Sequence, residues 1–255
     1  RTKNMLSFIV QARVGSSRLP NKILLPFYNG KSIFEMLLEK LKFFSDEVEC
    51  VVATSADEKN DAIELICKEN NVKCFRGSEN DVLQRFIDAA NYVGSDKIIR
   101  VCSDNPFLDV ESIKLMIREI QLHGDEFDYI SFNVNGTPSI KTHFGFWTEY
   151  VSLSTLDKVK EMTDLALYHE HVTNFIYANP DIFKIKWLDV PSVLLTREHI
   201  RLTIDTATDF ETAQSVYAEL MERESCLTIE KIVEHLDAHG EYYLSMQDEI
   251  KRNSK

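Results

Sequence analysis

The chain has 255 residues, 44% of them apolar and 27% charged, which supports one large α/β domain and excludes a disordered, collagenous or disulfide-stapled chain. Lys plus Arg number 29 against 41 Asp plus Glu, a formal net charge of −12, so the molecule as a whole repels nucleic acid, although a local Arg/Lys cluster or a divalent cation can reverse the field at one site. The longest apolar runs, such as 6–10 and 190–195, are strand-sized and too short to cross a bilayer, and the N-terminus does not resemble a signal peptide, so a cytoplasmic protein without membrane contact is expected.

Along the first half, short apolar runs alternate with longer helical patterns, the mark of consecutive βα units and a largely parallel sheet. Strands are predicted at 6–12, 48–54, 72–75, 97–102 and 129–132. After the first, Ile33, Phe34, Leu37, Leu38, Leu41 and Phe44 recur at steps of three and four, which predicts an amphipathic helix over 32–44. The stretches 56–69, 80–92 and 110–122 repeat that pattern and complete the crossovers. Regularity fails between 133 and 191, where aromatic residues crowd into 144–150 and one helix is predicted over 165–177; this reads as an arm or insert within a single domain spanning 1–255. A strand at 200–204, helices at 207–221 and 228–236 and a frayed tail at 247–255 complete the chain. The five cysteines are odd in number and widely spaced, with no C-x-x-C, which predicts reduced, mostly buried thiols.

The first strand runs into Gln11-Ala12-Arg13-Val14-Gly15-Ser16-Ser17-Arg18-Leu19-Pro20-Asn21-Lys22, a loop of three cations among small and hydroxyl residues at the edge where open α/β sheets bind ligands. Gly and Ser let backbone N–H groups approach a phosphate, and Arg and Lys neutralise its charge. It is neither a P-loop nor a G-x-G-x-x-G turn, since Gly15 stands alone; composition by itself leaves a solvated basic loop as the alternative. Asp104 follows the strand 97–102 and begins a turn with Asn105-Pro106; such an Asp is a turn former or cap, and also the carboxylate a hard cation takes. Thr206-x-x-Asp209 and Ser78-x-x-Asp81 fit capping patterns, which gives Asp209 a structural job and leaves Asp205, just before the cap, able to reach Asp104. Arg76 does not follow from capping. Arg85 reads as a weaker ligand contact or a surface cation, and Arg100, inside a strand, as a buried partner for a carboxylate. His169-x-His171 lacks the spacing of a zinc site, and His235 and His239 read as surface residues.

The full string 9–22 closely resembles the opening signature of cytidylyltransferases of the spore-coat-polysaccharide type, which group with CMP-Kdo synthetase and acylneuraminate cytidylyltransferase. Further matches follow in the family's order: Val51-Val52-Ala53-Thr54-Ser55, Phe75-Arg76-Gly77-Ser78-Glu79-Asn80-Asp81-Val82-Leu83, Arg100-Val101-Cys102-Ser103-Asp104-Asn105-Pro106 and Arg201-Leu202-Thr203-Ile204-Asp205-Thr206. The resemblance covers roughly 6–236. It implies an α/β fold, a Rossmann-like, glycosyltransferase-A-type mixed and mostly parallel sheet flanked by helices, dimeric through an arm after the fifth strand. It also implies Mg²⁺-dependent transfer of CMP from CTP to a small-molecule acceptor, an acidic sugar or phosphorylated metabolite, with release of pyrophosphate. Arg13, Gly15, Ser16, Arg18 and Lys22 would contact the triphosphate, Gln11 and Ala12 the base, and Arg76 another part of the nucleotide. Asp104 and Asp205 would hold Mg²⁺, and Arg13, Lys22 and Asp104 would carry the catalysis. Glu149 and His171 would face the acceptor, although an aromatic dimer seam is the alternative reading of that segment. Ser103 and Asn105 depart from the family's Gly-Asp-Cys-Pro. A glycosyltransferase would need an Asp-x-Asp pair that Asp104 lacks, and a catalytically silent nucleotide-binding relative is the remaining alternative.

Overall fold

The structure is a computed structural model that describes residues 5–253. Strand β1 (Leu6–Gln11) has Ser7, Phe8, Ile9 and Val10 fully buried, as a strand covered on both faces must. A small hairpin, β2 (Pro26–Tyr28) and β3 (Lys31–Ser32), leads into α1 (Ile33–Lys42), whose buried Ile33, Phe34, Leu37, Leu38 and Leu41 form the face that the periodicity predicts. Ser32 caps this helix by accepting from the Glu35 N–H. The strand-helix unit then repeats as β4 (Glu49–Ser55), α2 (Asp61–Glu69), β5 (Lys73–Gly77), α3 (Val82–Val93), β6 (Lys97–Cys102), α4 (Val110–His123) and β7 (Tyr129–Val134).

The chain continues through β8 (Thr137–Pro138), β9 (Glu149–Ser152), α5 (Leu153–Met162), α6 (Ala166–Glu170), α7 (Asn174–Ala178) and β10 (Ile185–Asp189). The sheet order is β10-β7-β9-β6-β1-β4-β5, with β8 attached to β7. The pairs β1/β4, β1/β6, β4/β5 and β7/β10 are parallel, whereas β9 runs antiparallel between β6 and β7. Thus β9 and β10, from the irregular stretch, are strands of the central sheet. Alternation along β1 separates the core: Phe8 and Val10 pack with α1, α4 and the C-terminal helices α8 (Ala207–Met221) and α9 (Ile229–Ala238), while Ile9 packs with α3 and α5. Among the described residues no helix is long and apolar enough to cross a membrane.

Four expectations are corrected. The segment 200–204 has a strand's alternation, with Ile200, Leu202 and Ile204 fully buried, but it is no strand: its Leu202 and Ile204 N–H groups go to the carbonyls of His143 and Asp104 in loops. The single helix over 165–177 is two short ones, α6 and α7, broken where Val172 and Thr173 turn inward. The tail is no frayed end, since α10 (Gly240–Arg252) runs through it and buries Met246 and Glu249; residues 254–255 lie outside the described ones. All five cysteines are free thiols, but only Cys67 is buried and Cys226 is exposed.

Candidate active site

The loop after β1 is held from below. The Val14 N–H donates to Asn60 Oδ1 over 3.0 Å, and buried Asn60 donates to Ser55 Oγ at the end of β4 over 2.6 Å. With its apolar residues Ala12 and Val14 buried and Arg13, Gly15 and Arg18 exposed, the loop turns cations and backbone outward. Gln11, Arg13, Gly15, Ser16, Arg18, Lys22, Asp104, His171 and Asp205 line one cavity of about 500 Å³. Arg13 has no protein partner among the described residues, and Arg18 meets only Asn253 at the end of α10, over 2.9 Å.

A second cavity, about 810 Å³, shares Arg100, Cys102, Asp104, His171 and Asp205 with the first and continues past Lys141, His143, Trp147, Thr173 and Tyr177. The two meet at the carboxylates. Lys22 Nζ lies 3.3 Å from Asp104 Oδ2 and 3.6 Å from Asp205 Oδ1, and donates to the Ile204 carbonyl over 2.6 Å. Asp205 is also 3.2 Å from Arg201 Nη2. Arg201, 3% exposed, forks onto Asp209 over 2.8 and 2.9 Å, and Asp209 in turn accepts from the Asp205 and Thr206 N–H groups within the capping box of α8. Asp209 therefore fixes the loop, while Asp205 faces the cavity.

A family model described as cytidylyltransferase matches residues 7–232. The chain belongs to the cytidylyltransferase family. It is 37% identical over 231 residues to an uncharacterized protein of Methanocaldococcus jannaschii, a match covering 90% of this chain and 89% of that one. It is 32% identical to the spore coat polysaccharide biosynthesis protein SpsF of Bacillus subtilis, covering 86% and 89%. A solved cytidylyltransferase from Leptospira borgpetersenii, 29% identical, superposes with a TM-score of 0.77 over 95% of this chain and 97% of that one. The chain is thus a nucleotidyltransferase with the mixed, mostly parallel α/β sheet that the sequence implies.

Within this cytidylyltransferase, several residues lie elsewhere than expected. Arg76 turns away from the cavity: its Nη1 is 2.7 Å from both Asp61 and Glu64 on α2, and its Nε and Nη2 donate to the carbonyls of Ser55 and Asp57. Two carboxylates and two carbonyls on that side outcompete the cavity. Ala12 is 1% exposed and packs in the core rather than lining the site. Glu149 is also buried, and accepts from Arg100 over 2.8 Å, from Thr173 Oγ1 over 2.9 Å and from the Tyr129 hydroxyl; it is the carboxylate partner expected for Arg100, not an acceptor contact. Arg85 is fully buried instead of on the surface, bracing the loop before α3 through the carbonyls of Ser78 and Glu79.

His235 is 5% exposed, and with Glu219 and His239 it brings potential ligand atoms within 4.8 Å of one another. Arg223 donates to His235 Nδ1 over 2.6 Å, however, so the ring proton sits on Nε2 and is given to Glu219 over 2.8 Å. No lone pair on His235 is left for a metal, and the group is a hydrogen-bonded seam between α8 and α9. Arg201, which sequence reasoning left without a role, bonds both Asp205 and Asp209. Its signal was in plain view, an Arg four and eight residues before the two acids that it orients.

Proposed function

We infer that the enzyme transfers CMP from CTP to a surface-polysaccharide precursor, an acidic sugar or phosphorylated metabolite, and releases pyrophosphate. The observation that carries this reading is the junction of two cavities at Asp104 and Asp205, one bordered by cations and small residues and the other by polar and aromatic ones. In this reading Arg13, Ser16, Arg18 and Lys22 bind the triphosphate, with the backbone at Gly15 open because a Cβ there would meet nothing within 4 Å. An acceptor oxygen entering from the second cavity forms a bond to the α-phosphorus. The bond to the bridging oxygen breaks, and pyrophosphate leaves with the electron pair, its growing charge balanced by fixed cations.

The residues present fit Mg²⁺: Asp104 and Asp205 are hard oxygen donors that already flank one cation, the Lys22 ammonium. When bound, the metal would neutralise phosphate charge and polarise the α-phosphoryl group. His171 borders both cavities and is assigned to the acceptor side. A homodimer through the arm, within a one-domain chain, is supported by the exposed Met162, Leu165 and Leu167, and a cytoplasmic location by the use of CTP. Thermal unfolding with CTP, UTP, ATP and GTP, each with and without Mg²⁺, tests the reading: stabilisation is expected to be selective for CTP and strengthened by Mg²⁺. No response to CTP would overturn it.

A further inference from the structure

We propose that the buried Arg100–Glu149 pair is a positioning device for Gln11, holding its side-chain amide so that the N–H donors face the nucleotide cavity and read an acceptor atom on the nucleoside. This rests on the assignment of that cavity to CTP. Arg100 on β6 and Glu149 on β9 are directly paired residues of neighbouring strands, with side chains 7% and 3% exposed. Arg100 Nη1 donates to Glu149 over 2.8 Å, and its Nη2 donates to Gln11 Oε1, also over 2.8 Å. A guanidinium has no acceptor, so the Gln11 atom facing it is the carbonyl oxygen. The amide nitrogen is thereby turned to the opposite side. Gln11 lines the nucleotide cavity, and its Nε2 is neither buried nor engaged by a protein acceptor among the described residues.

The support behind this contact is rigid. Glu149 is saturated by Tyr129 and Thr173, and the Phe86 ring lies 5.7 Å from the Arg100 guanidinium carbon. Thr173 lines the second cavity, so the chain Thr173–Glu149–Arg100–Gln11 runs from one cavity to the other. A buried ion pair adds little stability over an apolar pair of the same volume; fixing the orientation of a side chain in the site accounts for its presence. Two nucleoside groups match a donor and are separated by the test: N3 of cytosine, an acceptor where uracil carries a donor, and the ribose 2′-hydroxyl oxygen, which dCTP lacks.

The test is calorimetric titration of CTP, UTP and dCTP, with Mg²⁺, into the wild-type chain and Gln11→Glu. The carboxylate keeps a partner for Arg100 but removes both donors. Its added charge weakens all three triphosphates alike and cancels in their ratios. The preference for CTP over UTP is expected to fall about tenfold if the base is read, and that for CTP over dCTP if the ribose is. Both ratios unmoved would overturn the proposal while leaving the CTP assignment intact, whereas a wild-type chain that binds none of the three would overturn both. The double variant Arg100→Met/Glu149→Leu strands no charge and is expected to lose the same ratio with Gln11 in place; an unchanged ratio would overturn the positioning role. Should that variant not fold, Arg100→Lys, which retains the charge but not the two-armed reach, is expected to give the same direction of change, and an unmoved ratio would again be contrary.

Discussion

The Ile204 N–H donates to the Asp104 carbonyl over 3.0 Å, and this one backbone bond joins the turn after β6 to the segment before α8. Because of it, two carboxylates separated by about a hundred positions in the chain share a single ammonium, that of Lys22. Replacing Lys22 with Met is expected to lower cytidylyl transfer about a hundredfold, the scale of losing one fixed charge at a developing anion. Pyrophosphate release, measured at saturating CTP, checks this.

Asp205 and Asp209 are four residues apart and should respond differently. Asp205→Asn is expected to lose metal-dependent turnover with little change in stability, since its side chain is 20% exposed at the cavity. Asp209→Asn takes from the buried Arg201 its two-armed carboxylate, leaving Asp205 as its remaining charged partner, and weakens the capping box, at a cost of about 1 to 3 kcal/mol. Denaturant unfolding of both variants beside their activities checks the division, which equal activity loss without destabilisation would contradict.

Arg76→Ala is expected to leave CTP affinity unchanged and to cost at most about 1 kcal/mol of stability, as its ion pairs with Asp61 and Glu64 are to exposed carboxylates. A CTP titration in which affinity drops would return this residue to the site.

Gly145 has φ +72°, and a Cβ there would lie 2.9 Å from both Asn105 Oδ1 and the Thr203 nitrogen. Gly145→Ala is therefore expected to destabilise by about 1 to 3 kcal/mol and to distort the acceptor-side cavity. Thermal unfolding measures the first effect and the KM for acceptor the second.

His169 joins α6 to the start of α3. Its Nδ1 is 2.9 Å from Asp81 and its Nε2 2.7 Å from the Thr163 carbonyl; both partners accept, so the protonated ring can donate to both at once. The bonds to Asp81 and Thr163 raise its pKa above the ordinary 6.5, although burial and, less strongly, Lys160 oppose them. Its contribution is thus complete below 6.5 and lost as pH rises through the raised value. For Asp81, burial works upward but the Gln84 N–H and His169 hold the carboxyl below its ordinary 3.8, so its contribution is present above 3.8 and lost as pH falls through the lowered value. The contact is strongest between those limits. Urea unfolding of wild type and His169→Gln should show a stability difference that shrinks as pH rises from about 6 to 9; a constant difference would contradict the assignment.

The strands and the cation loop were legible because burial on both faces forces continuous apolar runs, as at Phe8 to Val10, and because loop chemistry lies in consecutive residues. Side-chain direction was not. Arg76 stands near the end of β5, in a string that resembles a nucleotide-side motif of the family, yet two acids on α2, invisible to spacing, pull it away. Glu149 lies in a motif that suggests exposure, and its burial follows only from pairing β9 against β6. Helix α10 was missed because so few of its residues are apolar. Conversely, 200–204 alternates like a strand because it packs inward, without a ladder to join.

The place of β9 between β6 and β7 also sets an order of assembly. Among the described residues β7, with β8 and β10 beside it, joins β6 and the strands beyond only through β9, so it cannot dock on that layer until β9 is available. As the chain emerges from the ribosome, β5-β4-β1-β6 can close as a layer first, while β7 waits for the wedge that follows it. The junction proposed as the catalytic centre, which needs Asp104 from one side of that wedge and Asp205 from far downstream, is therefore among the last features of the molecule to form.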